Sequence, residues 1–192
     1  MKILMISGAE FTASSGVTIH TLEMAGCLAE AGARVTLVLP GRTWGPGRQG
    51  VDVVGLPVTR NKYLNGLLRP VLVCVAVLFL ALKTNYDLVY IRDSIYETPV
   101  VLLLRLLGRV VFLEVNTVVA GDLHAKGRSP WKPIVAGWAQ RKACTSATLV
   151  LPVTTILADW LAGQGVPAGR VAVVANGANP YLYRPIDRYS AL

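Results

Sequence analysis

Three stretches of this 192-residue chain put polar side chains where a protein can act on a ligand. The first is Ser7-Gly8-Ala9-Glu10-Phe11-Thr12-Ala13-Ser14-Ser15-Gly16, a loop of mostly small residues between a short apolar run and a long helical pattern. Small residues ahead of a helix leave unpaired N–H groups that can meet an anion. The alternative is a turn that caps the helix and binds nothing. The second stretch is Arg92-Asp93-Ser94, which follows the apolar Tyr86 to Ile91. Polar groups at the carboxyl end of a buried strand line the crevice where open α/β sheets hold ligands. Otherwise Arg92 is spent on a salt bridge to Asp93 or Glu97. The third is Glu114, inside the apolar run Val110 to Asn116, where an ionisable group is costly unless it is paired. Metal chemistry has no comparable support. There is no C-x-x-C, H-E-x-x-H or Asp-x-Asp, and His20 and His124 are the only histidines, so no metal and no cofactor is expected.

The elements that must position these residues follow from periodicity. Ile3 to Ile6 reads as a strand, Val17, Met24, Ala25 and Leu28 recur at helical spacing, Gly32 stops the helix, and Val35 to Leu39 is a second strand. Such a βαβ unit is right-handed and places the first loop at the carboxyl edge of a parallel sheet. Further strands are expected at Val51 to Leu56, Tyr86 to Ile91, Val110 to Asn116, Ala147 to Leu151 and, as a seventh, Arg170 to Ala175. Helices are expected from Thr98 to Leu107, from Pro133 to Cys144, and after Thr154 and Thr155, with Gly163 and Gly165 ending the last. Val118 to Lys132, the longest polar stretch, reads as a mobile loop over the crevice. The fold class is therefore α/β, a Rossmann-like open parallel sheet with helices on both faces.

The composition supports a sizeable core, with 53% hydrophobic residues, and the net charge of +8 favours an anionic partner. Nucleic acid is not expected, because the basic residues are scattered and no aromatic-interleaved basic strand offers a stacking surface. Cys27, Cys74 and Cys144 read as reduced, buried thiols of a cytoplasmic protein, and the four-residue apolar run after Lys2 is too short for a signal peptide. Residues Pro70 to Leu82 carry no charge and are flanked by Arg60, Lys62, Arg69 and Lys83. Thirteen residues fall short of the roughly 20 that span a bilayer. The segment is either a core helix or an interfacial one. In the second case Arg69, Leu78, Leu80 and Lys83 are the membrane contacts, and the protein is peripheral at the inner face of an anionic membrane.

Ser14-Ser15-Gly16, followed by His20, Met24-Ala25, Leu28 and Gly32-Ala33-Arg34-Val35, resembles the opening of the family 4 glycosyltransferases. There a double glycine precedes a helix bearing a histidine; here Ser15 replaces the first glycine. Asp87-Leu88-Val89-Tyr90-Ile91-Arg92 and Leu113-Glu114-Val115-Asn116 are similar to the middle of the same family's amino-terminal half. The two strand ends often carry histidines in that family, and Arg92 and Asn116 stand at the matching positions. An amide is no base near neutral pH, so Asn116 is limited to hydrogen bonding. Asn176-Gly177-Ala178-Asn179, ahead of Tyr183-Arg184-Pro185, closely resembles the segment that joins the two halves of those enzymes.

The resemblance implies half of a GT-B fold. Residues 1–185 would be the amino-terminal, acceptor-side domain and residues 186–192 the start of a linker or tail. The carboxyl-terminal donor domain would be absent, and the chain either an excised piece or one chain of a split enzyme. The implied activity is retaining, metal-independent transfer of a sugar from a nucleotide-sugar to a hydroxyl acceptor, lipid-linked or soluble, with little or no turnover without the second half. Ser15, Gly16, Arg92, Asn116, Asn176 and Gly177 would contact substrate. Two alternatives stay open: a non-catalytic membrane-associated module that pairs with a partner chain, and half of a GT-B sugar-nucleotide epimerase.

Overall fold

The computed structural model describes residues 1–8, 16–41, 50–58, 61–92 and 97–177, without the side chains of 62–67. Ser15, Asp93, Ser94 and residues 178–192 lie outside the described residues. Six parallel strands form one sheet in the order β3-β2-β1-β4-β5-β6. They are β1 Lys2–Ile6, β2 Arg34–Pro40, β3 Val51–Leu56, β4 Leu88–Arg92, β5 Val111–Val115 and β6 Leu149–Pro152. Parallel neighbours need crossovers. The helices are α1 Gly16–Glu30 after β1, α2 Lys62–Lys83 after β3, α3 Thr98–Leu106 after β4, α4 Val119–Ala125 and α5 Trp131–Ser146 after β5, and α6 Thr155–Gly163 after β6. The strand order reverses between β1 and β4, which leaves a crevice at their carboxyl ends.

Strand side chains alternate between two apolar clusters. Ile3, Met5, Val35 and Leu37 pack with Ala25 of α1 on one face. Leu4, Ile6, Val89, Ile91 and Leu113 pack with Val73 and Val77 of α2, Val101 and Leu104 of α3, Cys144 of α5 and Leu161 of α6 on the other. Helices thus cover both faces, as the α/β reading requires. Of the apolar stripe read for α1, Ala25 is buried and Met24 and Leu28 pack half-buried against the core, while Val17 is exposed; the fully buried positions are Thr18, Thr21, Ala25 and Gly26. Small side chains at the centre of the contact let the helix sit close to the sheet, with Leu22, Met24 and Leu28 packing around them. Cys27 accordingly turns to solvent, not into the core as expected, whereas Cys144 is buried and Cys74 half-buried.

Two further expectations need correction. The stretch read as a loop over residues 118–132 contains α4, whose first turn is held by a residue distant in sequence. The buried Gln140 of α5 accepts from Val119 N at 3.0 Å and donates to Thr117 O at 2.8 Å. The expected seventh strand reduces to a 3-10 turn at Ala168–Arg170 and a single bridge from Val171 to Val150. Ala172 N and Val174 N still bond to Val150 O and Pro152 O, but residues 172–177 are exposed, so no burial locks a register there. The cap at Thr154 is as expected, its hydroxyl accepting from Leu157 N at 3.2 Å.

Helix α2 is neither all core nor all surface. Val73, Val77 and Ala81 face the sheet at a spacing of four, while Val71, Val75, Phe79 and Leu82 form an exposed apolar stripe. Leu80 packs against the core cluster and Leu78 is half-buried, so neither is an outward contact of the kind expected. No helix among the described residues is long and apolar enough to cross a membrane.

Candidate functional site

Period-two alternation brings one group of polar side chains together. On β4, Val89 and Ile91 face the α2–α3 side, so Tyr90 and Arg92 face α1; on β5, Leu113 and Val115 do the first and Glu114 the second. The parallel register sets Arg92 directly opposite Glu114, and Asn116 follows two residues later on the same side. His20, in the second turn of α1, reaches the group from above. All of it lies at the carboxyl edge, beside the point where strand order reverses.

Glu114 is the hub. Its Oε1 accepts from Asn116 Nδ2 at 2.6 Å and lies 3.2 Å from His20 Nε2 and 3.7 Å from Arg92 Nη1. Its Oε2 accepts from the Tyr90 hydroxyl and lies 3.3 Å from His20 Nε2. Arg92 Nη2 in turn donates to Asn116 Oδ1 at 3.3 Å. Burial opposes ionisation of Glu114, but hydrogen bonds from His20, Tyr90 and Asn116, together with the His20 charge, outweigh it and hold the carboxyl down to about 2. Burial first, then the Glu114 charge and hydrogen bond, push the Tyr90 phenol up, so it stays a donor. Glu114 is buried, and both of its oxygens already accept from these neighbours. Glu114 therefore acts as a scaffold that orients its neighbours, and His20 and Arg92 keep 18% and 13% of their side chains exposed at the carboxyl edge.

A second ion pair lies on the α2–α3 side of the sheet. Arg69 of α2 donates to Gly8 O at the end of β1 and approaches Glu97 Oε1 at 3.9 Å. Arg69 thus points inward and is not the outward membrane contact expected of it. Glu97 pairs with Arg69, and Arg92 with Glu114, so of the two alternative partners named for Arg92, Glu97 is taken by Arg69 and Asp93 lies outside the described residues. Gly16 opens α1, and among the described residues a Cβ built there meets nothing within 4 Å. Asn176 and Gly177 are exposed beyond the carboxyl end of β6, with β5 and β6 between them and Arg92. The structure therefore joins Arg92 to Asn116 and leaves Asn176 and Gly177 apart from them. Among the described residues no three His, Cys, Asp or Glu side chains gather as metal ligands.

A family model described as a glycosyl transferase 4-like domain matches residues 15–177. The chain belongs to that family. A search of curated proteins finds no match. Among solved structures, this glycosyl transferase 4-like chain is similar to a sucrose-phosphate synthase from Thermosynechococcus elongatus, at 14% identity and a TM-score of 0.77, covering 96% of this chain and 50% of that one. It is similar to Anabaena Alr3699/HepE in complex with UDP and glucose, at 18% identity and a TM-score of 0.63, covering 95% and 46%. It is also similar to a UDP-GlcNAc 2-epimerase from Methanocaldococcus jannaschii, at 13% identity and a TM-score of 0.63, covering 92% and 46%. At these identities the likeness shows the fold, and the chain spans about half the length of each.

Within this glycosyl transferase 4-like fold, sequence reasoning found Arg92 and Asn116 and marked Glu114 as needing a partner. It missed Tyr90 and gave His20 no role in the site. The signal for Tyr90 was present, since Tyr90 and Arg92 share a strand face. His20 reaches Glu114 across 94 residues of sequence, a contact that no local pattern encodes.

Proposed function

We propose that this domain is the acceptor-binding half of a retaining, metal-independent glycosyltransferase that moves a sugar from a nucleotide-sugar to a hydroxyl acceptor. The observation that carries the reading is the Glu114-centred group at the switch point of the sheet. It presents Arg92 and His20 at the carboxyl edge, where open α/β sheets take ligands. A cationic guanidinium and an imidazole suit sugar hydroxyls and a departing diphosphate; Asn116 is spent largely on holding Arg92. The N-terminus of α1 adds backbone donors at Gly16. Donor contacts then belong mainly to a second domain or partner chain, and the domain alone turns over little or nothing.

The apolar outer face of α2 supports the lipid-linked class of acceptor over the soluble one, and with it a peripheral location at the cytoplasmic side of a membrane. A second reading, half of a sugar-nucleotide epimerase, draws on the likeness to the epimerase fold; the family match favours the transferase. Calorimetric titration with UDP tests the division of labour. The isolated domain is expected to bind more weakly than about 100 μM, less than roughly 5.5 kcal/mol. Micromolar binding would move the donor site into this half and sink the proposal.

A further inference from the structure

The outer surface of the helical layer on the α2–α3 side carries an unusual pattern. Helix α3 packs between α2 and α5, so the outward stripes of the three helices adjoin. From α2 come Val71, Val75, Phe79 (62% exposed) and Leu82 (75%); from α3, Leu102 and Leu106 (85%); from α5, Trp131, Ile134, Val135 and Trp138 (61%). On α5 these lie opposite the buried Ala136, Gln140 and Ala143, so this outward stripe is as regular as the inward one. Two exposed tryptophans and a phenylalanine on one outer face are a cost for a surface that meets only water.

Charge is the second observation. Residues 62–83, 98–106 and 131–146 contain seven Lys and Arg and no Asp or Glu, although the chain has eleven acidic residues elsewhere. Arg69 and Arg105 turn inward, Arg105 to Ser146 O and Arg109 O. Arg141 donates to Gln164 O, and three lysines are exposed on α2 and α5. Lys83 Nζ lies 5.8 Å from the Phe79 ring and Lys132 Nζ 5.6 Å from the Trp131 ring, and Lys142 is exposed on α5. The exposed Asp122 sits on α4, bordering α5.

We propose that the joint outer face of α2, α3 and α5 docks on an anionic lipid surface, with Trp131, Ile134, Val135 and Trp138 of α5 as its main anchor. Aromatic rings beside lysine ammonium groups match the headgroup level, where apolar bodies enter the acyl boundary and cations meet phosphates. A second copy of the chain fits less well. An isologous dimer would bring the lysines that border one face against those of the other. The inference deepens the lipid-linked reading of the acceptor and rests on it for its purpose. It relocates the contact from the basic flanks of α2 to a surface centred on α3 and α5. Because α5 starts near the carboxyl edge, the docked domain would hold its crevice close to the lipid headgroups.

The test uses the 192-residue chain with vesicles of equal parts phosphatidylcholine and phosphatidylglycerol, and with pure phosphatidylcholine. Co-sedimentation with the mixed vesicles and a blue shift of tryptophan emission are expected, with brominated lipid quenching that shift. Ile134→Glu with Trp138→Glu should weaken partitioning by at least about tenfold, since each charge meets the acyl boundary, while the circular dichroism stays native. Val75→Glu with Phe79→Glu, on the flank of the face, should weaken it less. Failure to bind the mixed vesicles would overturn the proposal without touching the transferase reading, which stands on UDP titration. Equal binding to both vesicle types would overturn the anionic assignment. Concentration-dependent dimerisation abolished by the α5 variant would assign the face to a second copy instead.

Discussion

Replacing Glu114 by Gln probes the polar group at the carboxyl edge through stability as well as activity. The carboxylate is buried and accepts from Tyr90, Asn116 and His20, with Arg92 opposite. Glutamine keeps the volume but offers one acceptor oxygen and an NH2 group that meets donors. Against a usual value of 4.5, a carboxyl held to about 2 contributes roughly 3 kcal/mol at neutral pH. The same order follows from breaking a buried pair at one partner, about 3–5 kcal/mol. The folded-state pKa is depressed, so this stability is full above the unfolded pKa and is lost as pH falls through the folded one. Between pH 7 and pH 3 about 2 kcal/mol of it should vanish, most of it below pH 4.5. Urea melts of the wild-type chain and Glu114→Gln at both pH values measure this. A gap near 3 kcal/mol at pH 7 should shrink to about 1 kcal/mol at pH 3. A gap that does not change with pH would show that the charge of Glu114 does not hold the group together.

Three further outcomes are expected. In the complete enzyme that the proposed function implies, Arg92→Ala should lower kcat/KM by about 10- to 150-fold, the rate equivalent of a lost charge-assisted hydrogen bond, and should also lower thermal stability because Glu114 loses its cation, with native circular dichroism at the assay temperature as the control; wild-type kinetics would remove it from the site. Asn116→Ala should act in the same direction but more weakly, because it frees Arg92 from its acceptor without deleting the charge. In the native chain a thiol reagent should label Cys27 fastest and Cys144 only on unfolding, with mass spectrometry of the digested protein as the readout. Burial also raises the Cys74 thiol, which should keep it slow at neutral pH.

Much of the fold was legible because its signals are local. The apolar runs at β1, β2, β4, β5 and β6 are short and bounded, Gly32 takes a positive φ of 88° at the end of α1, and Thr154 caps α6 through its own side chain. The family could be read from the same chain, since the stretches that carry the resemblance, from Gly16 through Arg92 and Asn116 to Gly177, fall within the matched residues 15–177. Tertiary structure decided what local pattern cannot carry. Helix α4 forms where the sequence looks like a loop because Gln140, on another helix, holds its first turn. On α1 the apolar Met24 and Leu28 pack at the edge of the contact, and the fully buried centre falls on Thr18, Thr21, Ala25 and Gly26, small residues that let the helix approach the sheet. The apolar segment of α2 divides into a core stripe and an exposed stripe only once a sheet lies on one side of it. The sequence determined that Glu114 needed partners, because a lone carboxylate in a strand is too costly to bury. Only the register of β4 against β5, and α1 crossing above them, decided that those partners are Arg92, Tyr90, Asn116 and His20.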